Sequence, residues 1–182
     1  MARRIAWCLM ATALVSLCDV ALAQPAPAGL ARLDFILGEW AGTSRGEPGE
    51  GKVERTCTKV LRDRFIECRT TTTYPVQAAN PKGEIHVDRA FFSLDRSTKR
   101  LRLRQFHGEG FVNTYVEGDS LSFVTTDIEN IPAGWRARET YEQVSPDSWS
   151  ERFELSEPGA EFKLYSSSTL HRVDAGDSRA KP

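Results

Sequence analysis

Lys99-Arg100-Leu101-Arg102-Leu103-Arg104-Gln105-Phe106-His107 is the stretch on which the fold turns. Leu101, Leu103, Gln105 and His107 fall on one face at a period of two, and Arg100, Arg102 and Arg104 fall on the other. One apolar and one charged face is the pattern of a strand that covers an interior on one side and meets water on the other. The period returns near the C terminus, where Phe162, Leu164, Ser166, Ser168 and Leu170 share a face. Opposite them lie Glu161, Lys163, Tyr165, Ser167, Thr169 and His171.

Outward from these two segments, similar runs recur about every dozen residues between turn clusters such as Gly46-Glu47-Pro48-Gly49 and Ser145-Pro146-Asp147. They cover Trp40 to Arg45, Lys52 to Leu61, Arg64 to Tyr74, Glu84 to Leu94, Lys99 to His107 and Phe111 to Val116. Ser120 to Asp127, Trp135 to Val144, Trp149 to Leu155 and Glu161 to Val173 complete the set. Leu30 to Leu37 is the helical exception, a turn or two before the first strand. About ten strands in up-and-down order, with connections this short, avoid open edges most cheaply by closing. The expected class is therefore all-β, a closed antiparallel barrel, with a β-sandwich as the alternative.

The N terminus sets the compartment. Arg3 and Arg4 precede an apolar run from Ile5 to Leu17, and Ala21-Leu22-Ala23 supplies small residues before Gln24. This is a secretory signal over residues 1–23, too short for a membrane anchor, which needs roughly 20 apolar residues. Leu17 before Cys18 argues against a lipoprotein cysteine, and the lack of a polar residue before Arg3-Arg4 argues against twin-arginine export. A secreted or periplasmic protein follows, with a Pro/Ala-rich disordered leader at 24–29, one domain at 30–173 and a loose polar tail at 174–182.

The whole chain has 24 basic and 25 acidic residues; losing Arg3, Arg4 and Asp19 with the signal leaves 22 and 24, a formal charge of −2. That balance offers no footprint for nucleic acid, and no second apolar stretch is long enough to span a membrane. Cys8 and Cys18 leave with the signal, so Cys57 and Cys68 remain. If the chain reverses at Arg62-Asp63, residues whose numbers sum to 125 face each other, and this pair does. A four-residue loop from Leu61 to Arg64 would put them at the closer, non-hydrogen-bonded kind of site. A cross-strand disulfide is expected, since the spacing matches no redox or metal motif.

Leu33-Asp34-Phe35-Ile36-Leu37-Gly38-Glu39-Trp40 resembles the start of lipocalin-type barrels, where a helical turn leads into Gly-x-Trp on the first strand. Arg172 matches the basic residue that covers this tryptophan in the wider calycin superfamily. Gly38, Trp40 and Arg172 are thus the structural residues that the resemblance implies. The strands between look like the fatty-acid-binding protein and nitrobindin branches, and the start is similar to that of an uncharacterised group of bacterial exported domains. Gly38-Glu39-Trp40-Ala41-Gly42 matches the nitrobindin opening, which implies haem and chemistry on reactive nitrogen species. The axial histidine transfers poorly: His171 is close to the C-terminal end and alternation points it outward.

The interior chemistry leaves alternatives open. His107 is in phase with Gln105 and is either an exposed strand-end imidazole or a ligand to haem iron or to a polar head; His86 shares a face with Asp88 and reads as surface. Around Arg89 the alternation breaks, so either a bulge occurs or Arg89 points inward, where it would suit a carboxylate-headed ligand. Glu139 shares a phase with Trp135 and Tyr141, and Glu151 with Trp149 and Phe153; these charges either contact ligand or form a structural buried network with arginine. No motif for a serine nucleophile, a phosphate loop or a metal site occurs. The expected function is to bind a small apolar or amphipathic molecule through Arg89, Gln105, His107, Trp135, Glu139, Tyr141, Trp149 and Glu151, with Phe162 and Leu164 adding apolar wall. The alternatives are the haem barrel and a filled barrel serving as a structural or partner-binding envelope protein.

Overall fold

The computed structural model describes residues 28–173. The signal segment, most of the leader and the tail lie outside them. A 3-10 helix, η1, covers Gly29–Ile36. The strands are β1 Gly38–Gly46, β2 Gly49–Val60, β3 Phe65–Tyr74, β4 Glu84–Leu94, β5 Leu101–His107, β6 Val112–Glu117, β7 Ser122–Glu129, β8 Arg136–Ser145, β9 Ser148–Ser156 and β10 Lys163–Arg172. Each pairs antiparallel with its sequence neighbour, and β10 returns to β1, so the sheet is a closed up-and-down barrel. The expected class is therefore found, and the sandwich is excluded. No helix among the described residues is long and apolar enough to cross a membrane.

Closure is concentrated at one end. There η1 lies across the barrel with Leu33 and Ile36 fully buried. The Trp40 indole N–H donates to the Ile36 carbonyl at 2.7 Å. On the other side of the ring the Arg172 guanidinium sits 4.2 Å from its centroid, and Trp40 and Arg172 are register partners across the β1–β10 seam. Arg172 also donates to the Leu37 carbonyl at 3.1 Å and to Asp147 at 3.2 Å, so one side chain ties plug, seam and the β8–β9 turn together. Gly38 has φ +116°, and a Cβ there would stand 2.7 Å from the Arg172 guanidinium. Glycine is required twice over, by the backbone and by the close approach. Two ion pairs fasten the plug further, Arg32 to Glu117 on β6 and Lys59 on β2 to Asp34.

The lower half of the interior is filled. Trp149 meets Trp40 edge-on at 6.0 Å, and Phe92, Phe123 and Tyr141 pack mutually at 5.5–5.8 Å, above Leu101, Leu103 and Leu170. Cys57 and Cys68 are cross-strand partners and form a disulfide inside this layer. Their Cα atoms are 4.1 Å apart, the short spacing of a non-hydrogen-bonded pair, and residues 61–64 form the turn, as the four-residue loop requires.

Three expectations are corrected here. The β3–β4 register runs unbroken from Phe65↔Ser93 to Tyr74↔Glu84, so no bulge exists at Arg89; its side chain is 60% exposed and reaches Glu67. The inward residues of β4 are His86, Asp88, Ala90 and Phe92, which leaves Ile85 and Val87 exposed. His86 therefore faces the interior. On β10 a register shift between Leu164 and Ser166 turns Leu164 outward, and Phe162 lies outside beneath Arg136 and Arg138. The strand-period argument failed at the bulge, which adds a residue and inverts the faces on one side of it.

Two outcomes follow from this closure. Replacing Cys57 and Cys68 together by serine should lower unfolding stability in urea by about 2–3 kcal/mol, the loop-closure value for a ring of this size. Arg172→Leu, which removes the ring contact and the carbonyl bond, should cost about 1–2 kcal/mol by the same measurement, with the barrel still formed.

Candidate functional site

The half of the barrel away from η1 is open. A cavity of about 540 Å³ extends from the middle of the barrel to the end bearing the β1–β2, β5–β6 and β7–β8 connections. The barrel is therefore not filled, which removes the main support for the envelope-protein alternative. The upper wall is aromatic and aliphatic: Phe111, Ile128, Ile131, Trp135, Phe153, Leu155 and Tyr165 line it. The polar residues converge where the cavity meets the apolar layer.

Arg55 is the central charge of that floor. It lies in phase with Val53 and Cys57 on β2 and is 8% exposed. It donates to both oxygens of Glu151, at 3.2 and 2.8 Å, and its guanidinium lies 5.2 Å from the centroid of Trp149. Burial opposes its charge, but Glu151, with Tyr141 and Asp88 adding to it, more than offsets that and holds the guanidinium charged. A two-pronged pair of this kind is neutral as a unit and has no charge left to offer a carboxylate. Glu151, which also lines the cavity, accepts from Arg55 through both carboxylate oxygens.

Glu139, 2% exposed, is the diagonal neighbour of Glu151 on the adjacent strand, Tyr141 being the register partner of Glu151. Burial first, and then repulsion from Glu151, push its carboxyl up to about 8. It is a neutral acid at pH 7, embedded in hydroxyls. The Tyr141 hydroxyl donates to one of its oxygens, and the Tyr115 hydroxyl lies 3.3 Å from the other and 3.0 Å from Gln105 Oε1. Asn113 in turn donates to the Tyr115 oxygen at 2.9 Å.

Two acceptors in this layer are unspent. Asp88 Oδ1 and Asn113 Oδ1 are buried with no hydrogen-bond partner, as are the Thr70 hydroxyl and Arg55 Nε, and all four residues line the cavity. Burial pushes the Asp88 carboxyl up to about 6, with the nearby Arg55 charge opposing that rise. It is mostly ionised at pH 7. With Arg55 and Glu151 cancelling and Glu139 neutral, Asp88 gives the floor its negative character.

Nearer the mouth, β4 and β5 bring His86 and His107 together. The ring nitrogens His86 Nε2 and His107 Nδ1 face each other at 3.5 Å, and His86 Nδ1 contacts Glu109 Oε1 at 2.8 Å. His107 stacks on Phe111 with centroids 4.0 Å apart, and its Nε2 lies 3.4 Å from the Asn113 amide. Burial, aided by His86, lowers the His107 imidazole to about 4, so it is neutral.

Of the residues expected from sequence, Gln105, His107, Trp135, Glu139 and Glu151 line the cavity. Tyr141 and Trp149 lie beneath it in the packed layer, and Arg89 is outside altogether. Arg55, Asp88, Asn113, Tyr115, His86 and Glu109 were missed. Alternation alone would have found Arg55 between Val53 and Cys57; nothing local marks Asp88 or Glu109. The residues do not fit haem held in the nitrobindin manner. His171, the histidine that the resemblance would offer, is exposed and faces outward.

No protein-family model matches the chain, and no curated protein does. Among solved structures, the crystal structure of Rv2717c from M. tuberculosis is similar at 18% identity and TM-score 0.60, over 80% of this chain and 97% of that one. The S-type phycobiliprotein lyase CPES from Guillardia theta is similar at 13% identity and TM-score 0.50, over 81% and 94%. At these identities the likeness is one of fold alone.

The burial of Glu139 has a pH signature. A carboxyl whose folded pKa is raised binds its proton more tightly when folded, so its stabilising share is full below the ordinary carboxylate range and is lost as pH rises towards 8. Glu139→Gln should therefore flatten the fall in stability between pH 5 and pH 8, changing the difference by more than about 1 kcal/mol in urea unfolding. An identical pH profile in the variant would mean that Glu139 is ionised in the folded protein.

Proposed function

We propose that this chain is an exported binding protein that holds one small amphipathic molecule in the open half of its barrel. Export is read from the signal segment and suits a chain with a disulfide. The apolar body of the ligand would lie against Phe111, Ile128, Trp135, Phe153 and Leu155. The observation that carries the reading is the pair of unpartnered, buried acceptors, Asp88 Oδ1 and Asn113 Oδ1, at the floor of a cavity whose upper wall is aromatic and aliphatic. Buried acceptors left unmade cost free energy, and a ligand that donates to them recovers it.

The same floor selects the head group. The carboxylate-headed ligand expected from an inward Arg89 loses its partner, because Arg89 is outside and Arg55 is committed to Glu151. The favoured head is a hydrogen-bond donor, best of all a protonated amine facing Asp88. The polar residues form an acceptor-rich cradle and a structural ion pair, which suits recognition rather than turnover.

Titration with a straight-chain amine, an alcohol and a carboxylate of equal length, followed by tryptophan fluorescence through Trp135, checks both halves of the reading. Saturable binding is expected in the order amine, alcohol, carboxylate. Asp88→Asn should weaken the amine by about tenfold or more and leave the alcohol nearly unchanged. No saturable response to any of the three sinks the binding reading, and tightest binding of the carboxylate sinks the head-group assignment.

A further inference from the structure

The strand register places His86, His107 and Glu109 at the mouth of the cavity, where their ligating atoms all lie within 4.8 Å of one another. We propose that this trio is a binding site for a divalent transition cation of the zinc class, two imidazoles and one carboxylate with a coordination position left open.

The geometry is set by rigid elements. His86 and His107 stand on adjacent paired strands, β4 and β5, and His107 is further fixed by its stack on Phe111. Two imidazole nitrogens sharing a tetrahedral zinc at about 2.0–2.1 Å each stand about 3.3 Å apart. His86 Nε2 and His107 Nδ1 are 3.5 Å apart. Without an ion the two nitrogens share one long N–H···N hydrogen bond, at the outer limit of hydrogen-bond length. An ion there replaces it with two good bonds.

The third ligand comes from a movable element. Glu109 stands in the turn between Gly108 and Gly110, is about two-fifths exposed, and already holds His86 Nδ1 at 2.8 Å. Its carboxylate either rotates onto the ion or stays on His86 Nδ1–H, where it fixes the tautomer that leaves Nε2 free to ligate; each arrangement raises affinity. Carboxylate and imidazole without thiolate suit zinc, cobalt, nickel and copper, the cysteines being joined in the disulfide.

The site stands apart from the amphiphile reading, since it uses none of the acceptors assigned to the ligand head. Isothermal titration of the purified, metal-stripped protein with Zn²⁺ should show one saturable site. His86→Ala and His107→Ala should each weaken it by at least about tenfold, and Glu109→Gln by about tenfold. His171→Ala, which removes the remaining histidine on the exposed face, should leave it unchanged. Co²⁺ should give a visible d–d spectrum that His86→Ala abolishes. His86 is partly exposed, so its removal leaves the packed layer intact; circular dichroism confirms this in the same samples. Absence of saturable Zn²⁺ uptake, or Zn²⁺ affinity retained in a natively folded His86→Ala protein, overturns the site. Alkylamine binding measured in the same variants separates the two readings: it should survive loss of the metal site.

Discussion

A ten-stranded sheet can close only if its first and last strands meet in register, and here that meeting is fixed at Trp40. The indole is held from below by the Ile36 carbonyl and from above by Arg172, its partner across the seam. Because Arg172 also binds the Leu37 carbonyl and Asp147, the plug, the seam and a turn from the opposite wall are secured at one point. A slip of one residue at this seam would turn every inward side chain of β1 outward. The filled lower layer and the open upper half both depend on that register.

Closing one end and packing aromatic rings against it divides the interior into a dry layer and a cavity. At their boundary the protein buries Arg55, Glu151, Glu139 and Asp88, an arrangement that costs more than an apolar floor unless the charges are managed. They are managed in three ways: Arg55 and Glu151 neutralise each other through two hydrogen bonds, Glu139 keeps its proton, and Asp88 retains its charge. The floor keeps unspent hydrogen-bonding capacity, at the acceptors Asp88 Oδ1 and Asn113 Oδ1 and at Thr70 Oγ1 and Arg55 Nε. Above it, the facing nitrogens of His86 and His107 offer a second kind of capacity, for a small cation.

Much of the fold was legible in the chain. Period-two alternation on segments such as Leu101 to His107 located the strands, because a strand that covers an interior must alternate. The Cys57–Cys68 bridge followed from the same hairpin arithmetic, and the Gly38/Trp40/Arg172 closure from a resemblance that the structure bears out in its geometry. The site was legible in part. Glu139, Glu151, Gln105 and His107 were found because they share the phase of apolar neighbours. Arg89 lies outside because it shares the outward face of β4 with the exposed Ile85 and Val87, two apolar residues that mimic an inward face. Near the mouth of a cavity the inward face is polar and the usual inside-out pattern reverses.

The sequence by itself determined the strand set and the hairpin disulfide, because each depends on local periodicity or on neighbours along the chain, while the two closing ends were expected only through the resemblance. Only the tertiary structure decided that Arg55 is spent on Glu151, 96 residues away, and that His86, His107 and Glu109 meet at one rim. Alternation says which face a residue occupies. It does not say at what height in the barrel that residue sits or which distant strand it faces, and those are fixed by the stagger of ten strands acting together.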